Sequence, residues 1–117
     1  MTNVENKDSN IKLYDKLVRD RIPEVIERRG GSCEVKVVCG EEKTGRLEEK
    51  LQEEVQEYLK DKNLEELADI MEVLFGLAKS LGYSEEQLLG KRLEKREERG
   101  GFEEGLVLLK VYEENKR

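Results

Sequence analysis

Four acidic residues at helical spacing are the part of this sequence most able to do chemistry. They occur as two pairs, Glu54-x-x-Glu57 and Glu66-x-x-Asp69, inside a stretch that is rich in apolar side chains. Residues three apart on an α-helix lie on the same face, so each pair can act together. Because burying unpaired carboxylates is costly, we expect a cation among them, and oxygen ligands suit a hard divalent ion.

The stretch from residue 50 to residue 79 predicts two helices joined by a tight turn. The first helix has an apolar face, and Glu54 falls at the edge of that face. The face is formed by Leu47, Leu51, Val55, Tyr58 and Leu59. Apolar side chains surround most of the second helix, which predicts that this helix is largely buried.

Cap residues set the predicted ends of these helices. Thr44 can cap a first helix that begins near Gly45 and runs to about Leu59, and Asn63 can cap a second helix that ends near Gly82.

The acids also have ordinary structural explanations. Asn63-Leu-Glu-Glu66 has the spacing of a capping box, in which the Glu66 carboxylate returns to the Asn63 amide. Glu54, Glu57 and Asp69 are compatible with a solvated acidic face in a chain whose residues are 43% charged. The convergence of all four acids at apolar margins favours the metal site.

Composition narrows the class of protein. A chain of 117 residues predicts one domain, residues 14–117, after a flexible tail, residues 1–13. The net charge of −6 argues against a nucleic-acid partner, and the lack of a long apolar run or leader argues for a cytoplasmic protein without a membrane partner. A core of this size has little margin, so we expect a homodimer or higher homo-oligomer.

The chain contains no histidine, which excludes chemistry based on Ser-His-Asp, Cys-His or His-bound metal within one type of subunit. Cys33 and Cys39 are too few for a zinc site. Chemistry must therefore use carboxylates, Lys, Arg, Tyr or a metal ion.

The predicted fold is a mainly α helical bundle that includes the two central helices. A small two-stranded β-ribbon is predicted outside them. The ribbon would pair residues 34–39 with residues 105–112, which are both rich in β-branched side chains. Pro23 begins a short helix that Gly30 and Gly31 end.

Basic residues cluster at both ends of the chain. Lys16, Arg19 and Arg21 form a basic group ahead of the short helix, for which surface salt bridges are the ordinary explanation. Lys16 and Arg19 are alternatively phosphate ligands. Ser84-Glu-Glu-Gln87 is a second capping box, and it opens a helix to about Arg99. The exposed face of that helix carries Lys91, Arg92, Lys95, Arg96 and Arg99. The following Gly100-Gly101-Phe102 is either a phosphate-binding turn or a glycine C-cap.

Four blocks in order resemble the all-α nucleoside triphosphate pyrophosphohydrolases, the superfamily of MazG-type and phosphoribosyl-ATP pyrophosphohydrolase-like proteins. Two blocks are Lys50-Leu-Gln-Glu53-Glu54-Val-Gln-Glu57 and Glu66-Leu-Ala-Asp69. The flanking blocks are Lys16-Leu-Val-Arg19-Asp20-Arg21-Ile-Pro23 and Lys95-Arg96-Glu-Glu-Arg99-Gly-Gly-Phe102. The resemblance covers roughly residues 14–112.

The resemblance implies a bundle that binds Mg²⁺, with Mn²⁺ as an alternative ion, through Glu54, Glu57, Glu66 and Asp69. It also implies hydrolysis of the α–β phosphoanhydride of a nucleotide substrate to a monophosphate and pyrophosphate. Glu54 would also orient the attacking water, with Glu53 as the alternative, and Lys50 would pair with Glu54 or bind a phosphate. Substrate phosphates would be bound by Lys16, Arg19, Arg96 and Arg99.

Two other hypotheses stay open at this point. The plain amphipathicity of the central helices is compatible with a non-catalytic helical assembly protein. Alternatively, the protein is an enzyme that removes non-standard nucleotides rather than one that acts on phosphoribosyl-ATP in biosynthesis.

Overall fold

The computed structural model describes residues 10–114, and within that range the protein is mainly helical and has no β-strand. Four helices follow one another there: α1 (Ile22–Arg28), α2 (Gly40–Asp61), α3 (Leu64–Ser80) and α4 (Glu85–Arg99). α2 packs on α3, and α3 packs on α4. The prediction of a mainly α fold is confirmed. Most of the predicted flexible tail lies outside the described residues.

No helix within residues 10–114 has the length and apolar character needed to cross a membrane.

The α2–α3 hairpin is closed by a two-residue connection. Lys62 ends α2 in the left-handed conformation, with φ 49°. The Glu66 amide donates a 3.0 Å hydrogen bond to Asn63 Oδ1, so Asn63 caps α3 as predicted. A Cβ at Gly76 would lie 3.0 Å from Leu47 Cδ2, which shows how closely the two antiparallel helices approach.

The buried residues of the described chain all lie in this hairpin. Leu47 comes from α2, and Val73 and Ala78 come from α3. Glu54 is the fourth buried residue, with 8% of its surface exposed. One of the four buried residues of the described chain is therefore a carboxylate.

The prediction that α3 is largely buried is wrong for the single chain. Its apolar side chains Leu64, Leu67, Met71 and Leu74 expose between 39% and 80% of their surface. Among the described helices, α2 and α4 pack against α3, and they leave part of its apolar circumference open.

The predicted β-ribbon is also absent from the described residues. Residues 34–39 and 105–112 carry no strand, although their sequence favours one. A two-stranded ribbon is marginal unless its apolar face is covered. Here Val35, Val37, Leu106 and Val107 are all more than 60% exposed, so such a face has no cover among residues 10–114.

The predicted start of the first central helix is too late. α2 begins at Gly40, and the Thr44 hydroxyl donates to the Gly40 carbonyl at 3.2 Å instead of capping a later helix. A threonine inside a helix commonly bonds the carbonyl four residues before it. The predicted capping box of Ser84 and Gln87 is confirmed at the start of α4.

The short helix α1 also follows its prediction. Pro23 lies in the first turn of α1, and Gly30, with φ 90°, follows the C-cap residue Arg29. Cys33 and Cys39 are exposed and form no disulfide.

Candidate metal centre

Three of the four predicted metal ligands meet where α2 packs on α3. Glu54 from α2 and Glu66 and Asp69 from α3 each offer a carboxylate oxygen, and these oxygens lie within 4.8 Å of one another. Glu54 is buried, and the other two side chains are half-buried. The helix pairing that forms the core therefore also assembles this group, which we call the Glu54 cluster.

Glu57 belongs to a second, more exposed group. Its carboxylate lies within 4.8 Å of those of Asp61 and Glu66, so Glu66 is shared by the two groups. Asp61 was missed in the sequence because α2 was expected to end near Leu59. Its spacing of four residues from Glu57 was the signal that could have identified it, since such residues lie on one helix face.

The ion pair of Lys50 only partly neutralises the buried Glu54. Lys50 Nζ lies 3.3 Å from Glu54 Oε1 but only 2.8 Å from Glu53 Oε2. Burial lowers the pKa of Lys50, yet the hydrogen bonds and charges of Glu53 and Glu54 outweigh it and leave the pKa raised. The predicted contact of Lys50 with Glu54 is confirmed, but Glu53 takes the shorter bond.

Glu66 feels the accumulated negative charge of both groups. Partial loss of solvent raises its pKa first, and repulsion from Asp69, Glu54, Glu57 and Asp61 raises the pKa further. Carboxylates that share a site disfavour one another's ionised form in this way.

The capping box explains the hydrogen bond of the Glu66 backbone amide but not the position of the Glu66 carboxylate. The Glu66 amide donates to Asn63, but within the described part of the chain its carboxylate makes no return bond to the Asn63 amide. The complete box at Ser84 shows both bonds. The Glu66 side chain is thus directed to the other acids and not to the cap.

These observations fit a hard divalent cation. The donor atoms are carboxylate oxygens, which Mg²⁺ and Mn²⁺ favour. One of these carboxylates, Glu54, is buried, and its ion-pair partner Lys50 is shared with Glu53. The repulsion that raises the pKa of Glu66 is the kind of charge excess that a cation relieves.

A basic segment runs beside the acids. Arg19 Nη2 bonds Asp69 Oδ1 at 2.7 Å, and Lys16 Nζ lies 3.7 Å from Glu53 Oε2. Two of the predicted phosphate ligands are therefore neighbours of the acidic residues, and one of them bonds directly to a predicted metal ligand.

Arg46 anchors this basic segment to α2. Its guanidinium bonds the Asp15 carboxylate at 2.9 Å and the Asp15 carbonyl at 3.0 Å. The sequence carries no periodic signal for this contact, because it joins a helix to an irregular segment 31 residues away.

Glu53 takes part in the same network of charges. The hydrogen bond from Lys50 lowers the pKa of Glu53, and together with the charges of Lys50 and Lys16 it outweighs the opposing effect of burial. Glu53 therefore serves the ion pairs, whereas its neighbour Glu54 belongs to the acid cluster.

The other two predicted phosphate ligands have local partners instead. Arg96 bonds Glu103 at 2.8 Å, which lowers the pKa of Glu103, and Arg99 lies 3.6 Å from Glu98. A Cβ at Gly101 would overlap the Arg96 guanidinium. Within residues 10–114 no ion pair joins α4 to the Glu54 cluster, and the contacts of this turn favour the C-cap interpretation.

Compared with protein-family models, curated proteins and solved structures, the chain matches none of them.

Proposed function

We propose that this protein is a Mg²⁺-dependent nucleotide pyrophosphohydrolase. Its substrate would be a nucleoside triphosphate-type molecule, with phosphoribosyl-ATP among the candidates. The observation that carries the proposal is the buried Glu54 carboxylate, which lies with the half-buried carboxylates of Glu66 and Asp69 where α2 packs on α3. The order of the four motif blocks supports the same assignment.

The reaction consumes one water and breaks the α–β phosphoanhydride, which yields a monophosphate and pyrophosphate. Glu54, Glu66 and Asp69 would hold the ion, and Glu57 and Asp61 would provide further oxygens around Glu66. When bound, Mg²⁺ or Mn²⁺ neutralises charge that develops on the phosphates and lowers the pKa of a water ligand.

The side chains around the cluster have separate tasks in this proposal. Glu54 orients the attacking water, and Lys50 holds Glu54 in place while its charge faces the phosphates. Lys16 and Arg19 bind phosphate oxygens, for which Arg19 must exchange its bond to Asp69. Because Arg19 is half-exposed, that exchange needs no change in the helix core.

Arg96 and Arg99 remain candidates for substrate phosphate only if their bonds to Glu103 and Glu98 open. The proposal also includes a cytoplasmic location and a homo-oligomeric state, since the single chain buries few side chains.

Pyrophosphate release tests this proposal with two matched variants. Release is measured with and without Mg²⁺ across standard NTPs, modified NTPs and phosphoribosyl-ATP. Glu54→Gln is expected to lower release by at least about 100-fold, as loss of one preorganised charged group does in other active sites. Glu53→Gln removes the adjacent carboxylate, which shares Lys50 but lies outside the cluster. It should cost about tenfold, the lower end of what loss of a partner that supports a metal ligand costs.

Equal release by Glu54→Gln and the wild type would contradict the assignment. If the wild type released no pyrophosphate from any substrate of the panel, the proposed reaction would be contradicted.

A second candidate function, a non-catalytic helical assembly protein, is favoured by the exposed apolar side chains of α3 and α4. A thermal-shift titration separates the two, because an ion that binds only the folded state raises its stability by mass action. No shift at millimolar Mg²⁺ would favour the assembly protein.

A further inference from the structure

Residues 106–112, here called the C-terminal apolar segment, are exposed along their whole length. Every residue except Lys110 is a large apolar side chain that exposes 67–86% of its surface. These side chains are Leu106, Val107, Leu108, Leu109, Val111 and Tyr112. Within the described residues, no backbone hydrogen bond is made by any of these seven residues. An apolar segment that lacks both cover and backbone partners indicates a missing surface.

The same chain has an apolar groove between α3 and α4. The groove has a volume of about 150 Å³ and exposes only apolar atoms. It is lined by Met71, Leu74, Phe75, Leu88, Leu89 and Arg92. Within residues 10–114, Arg92 forms no ion pair, although its neighbour Lys91 bonds Glu94 at 3.0 Å.

The groove leaves apolar surface open on the described chain. Its side chains Met71, Leu74 and Leu89 expose 49%, 39% and 42% of their surface. A second copy of the chain can therefore be accommodated on apolar surface that is already open.

We propose that two copies of this chain form a dimer in which the C-terminal apolar segment of each copy lies in the α3–α4 groove of the other. Seven extended residues span about 23 Å. The fifteen residues of α4 span about 22 Å, so an extended segment can run along α4 and across the groove. Each copy supplies one segment and one groove, which closes the assembly with twofold symmetry.

Charge supports the same pairing. Glu113 and Glu114 directly follow the segment, and Arg92 lines the groove. Docking would bring this acidic end near an arginine that lacks an acidic partner in the described part of its own chain, and opposite charges at an interface rim favour one register.

The mass of the full chain in solution tests this proposal independently of any activity. Light scattering after size exclusion should give about 27 kDa for the wild type, twice the chain mass of 13.6 kDa. Leu109→Glu in the segment and Leu74→Lys in the groove should each give a single-chain mass. Lys110→Glu changes charge in the same segment without removing an apolar group, and it should remain a dimer.

Folding of the variants is checked by circular dichroism. Both replaced leucines lie outside the buried core, so the helical signal should be unchanged.

Mixing distinguishes docking between copies from docking within one chain. An equimolar mixture of Leu109→Glu and Leu74→Lys retains one intact segment and one intact groove in each mixed pair. We therefore expect a dimer of about 27 kDa to reappear in the mixture, although neither variant forms one alone. A mixture that stays at the single-chain mass would overturn the proposal.

Two further results would also overturn it. One is a wild type that is monomeric at all concentrations up to millimolar. The other is flotation of the wild type with phosphatidylcholine vesicles that Leu109→Glu abolishes, because it would assign the segment to a lipid surface. Since the readout is mass, failure here leaves the pyrophosphohydrolase proposal to be decided by Glu54→Gln.

Discussion

The α2–α3 hairpin and the C-terminal apolar segment both carry many apolar side chains, with opposite results. Every buried residue of the described chain lies in the hairpin, whereas the segment buries none. The hairpin also gathers the acids and their basic partners. Apolar content alone therefore does not make a core; the apolar faces must also meet within reach of one another.

Chain geometry explains this difference. α2 and α3 are joined by Lys62 and Asn63 alone, so their facing sides pair at a small cost in loop entropy. The apolar side chains after Gly105 have no such neighbour in the described chain and stay in solvent.

The largest effect that would sharpen the comparison is loss of core packing. Leu47→Ala should lower the free energy of unfolding by about 2–5 kcal/mol, because the side chain is buried against Gly76. Urea unfolding would show this loss at every protein concentration. Leu109→Ala should instead lower stability in a concentration-dependent manner, since its side chain is exposed in the single chain. Equal and concentration-independent losses would break the comparison.

A smaller effect concerns competition at the acids of the hairpin. Mg²⁺ at 100 times its dissociation constant should stabilise the wild type by about 2.7 kcal/mol.

Arg19→Gln removes the bond to Asp69, and exposed ion pairs contribute about 0.2–1 kcal/mol. Its Mg²⁺ affinity in isothermal titration should therefore rise by up to about fivefold. Arg28→Gln, which breaks a similar pair with Glu24 on α1, is the control and should leave the affinity unchanged.

Weaker Mg²⁺ binding by Arg19→Gln would show that Arg19 supports the site and does not compete for it.

The smallest effect is the pH dependence of Glu66 without divalent ions. Its pKa is raised above the ordinary value of 4.5, so the folded state binds more protons than the unfolded state just above that pH. The free energy of unfolding should therefore fall as pH rises through the raised pKa, and the loss should be absent below 4.5. Glu66→Gln should be more stable than the wild type at neutral pH, with a difference that shrinks under acid conditions.

Glu65→Gln makes the same charge change in the same helix turn, outside both acid groups, and is the control for Glu66→Gln. An equal gain in the free energy of unfolding from Glu65→Gln and Glu66→Gln would contradict the prediction. It would assign the gain to the loss of a charge near the helix terminus and not to the acid groups.

Much of the candidate site could be predicted because it is local in sequence. The helical spacing of Glu54, Glu66 and Asp69 and the cap at Asn63 are short-range patterns, and the structure brings these residues together as expected. Asp61 and Arg46 could not be predicted as readily. The place of Asp61 in an acid group depends on the last turn of α2, which extends beyond the predicted end near Leu59. Arg46 bonds a distant irregular segment.

By itself the sequence determined the helices, the caps of α3 and α4 and the placement of acids at the edge of an apolar face, because these follow from contacts within four residues. Only the tertiary structure decided which carboxylates share a site, that Arg19 bonds Asp69, and that residues 34–39 and 105–112 form no ribbon. The reason is that a strand or a buried face is stable only when another surface covers it, and distant parts of the chain or another copy must supply that surface.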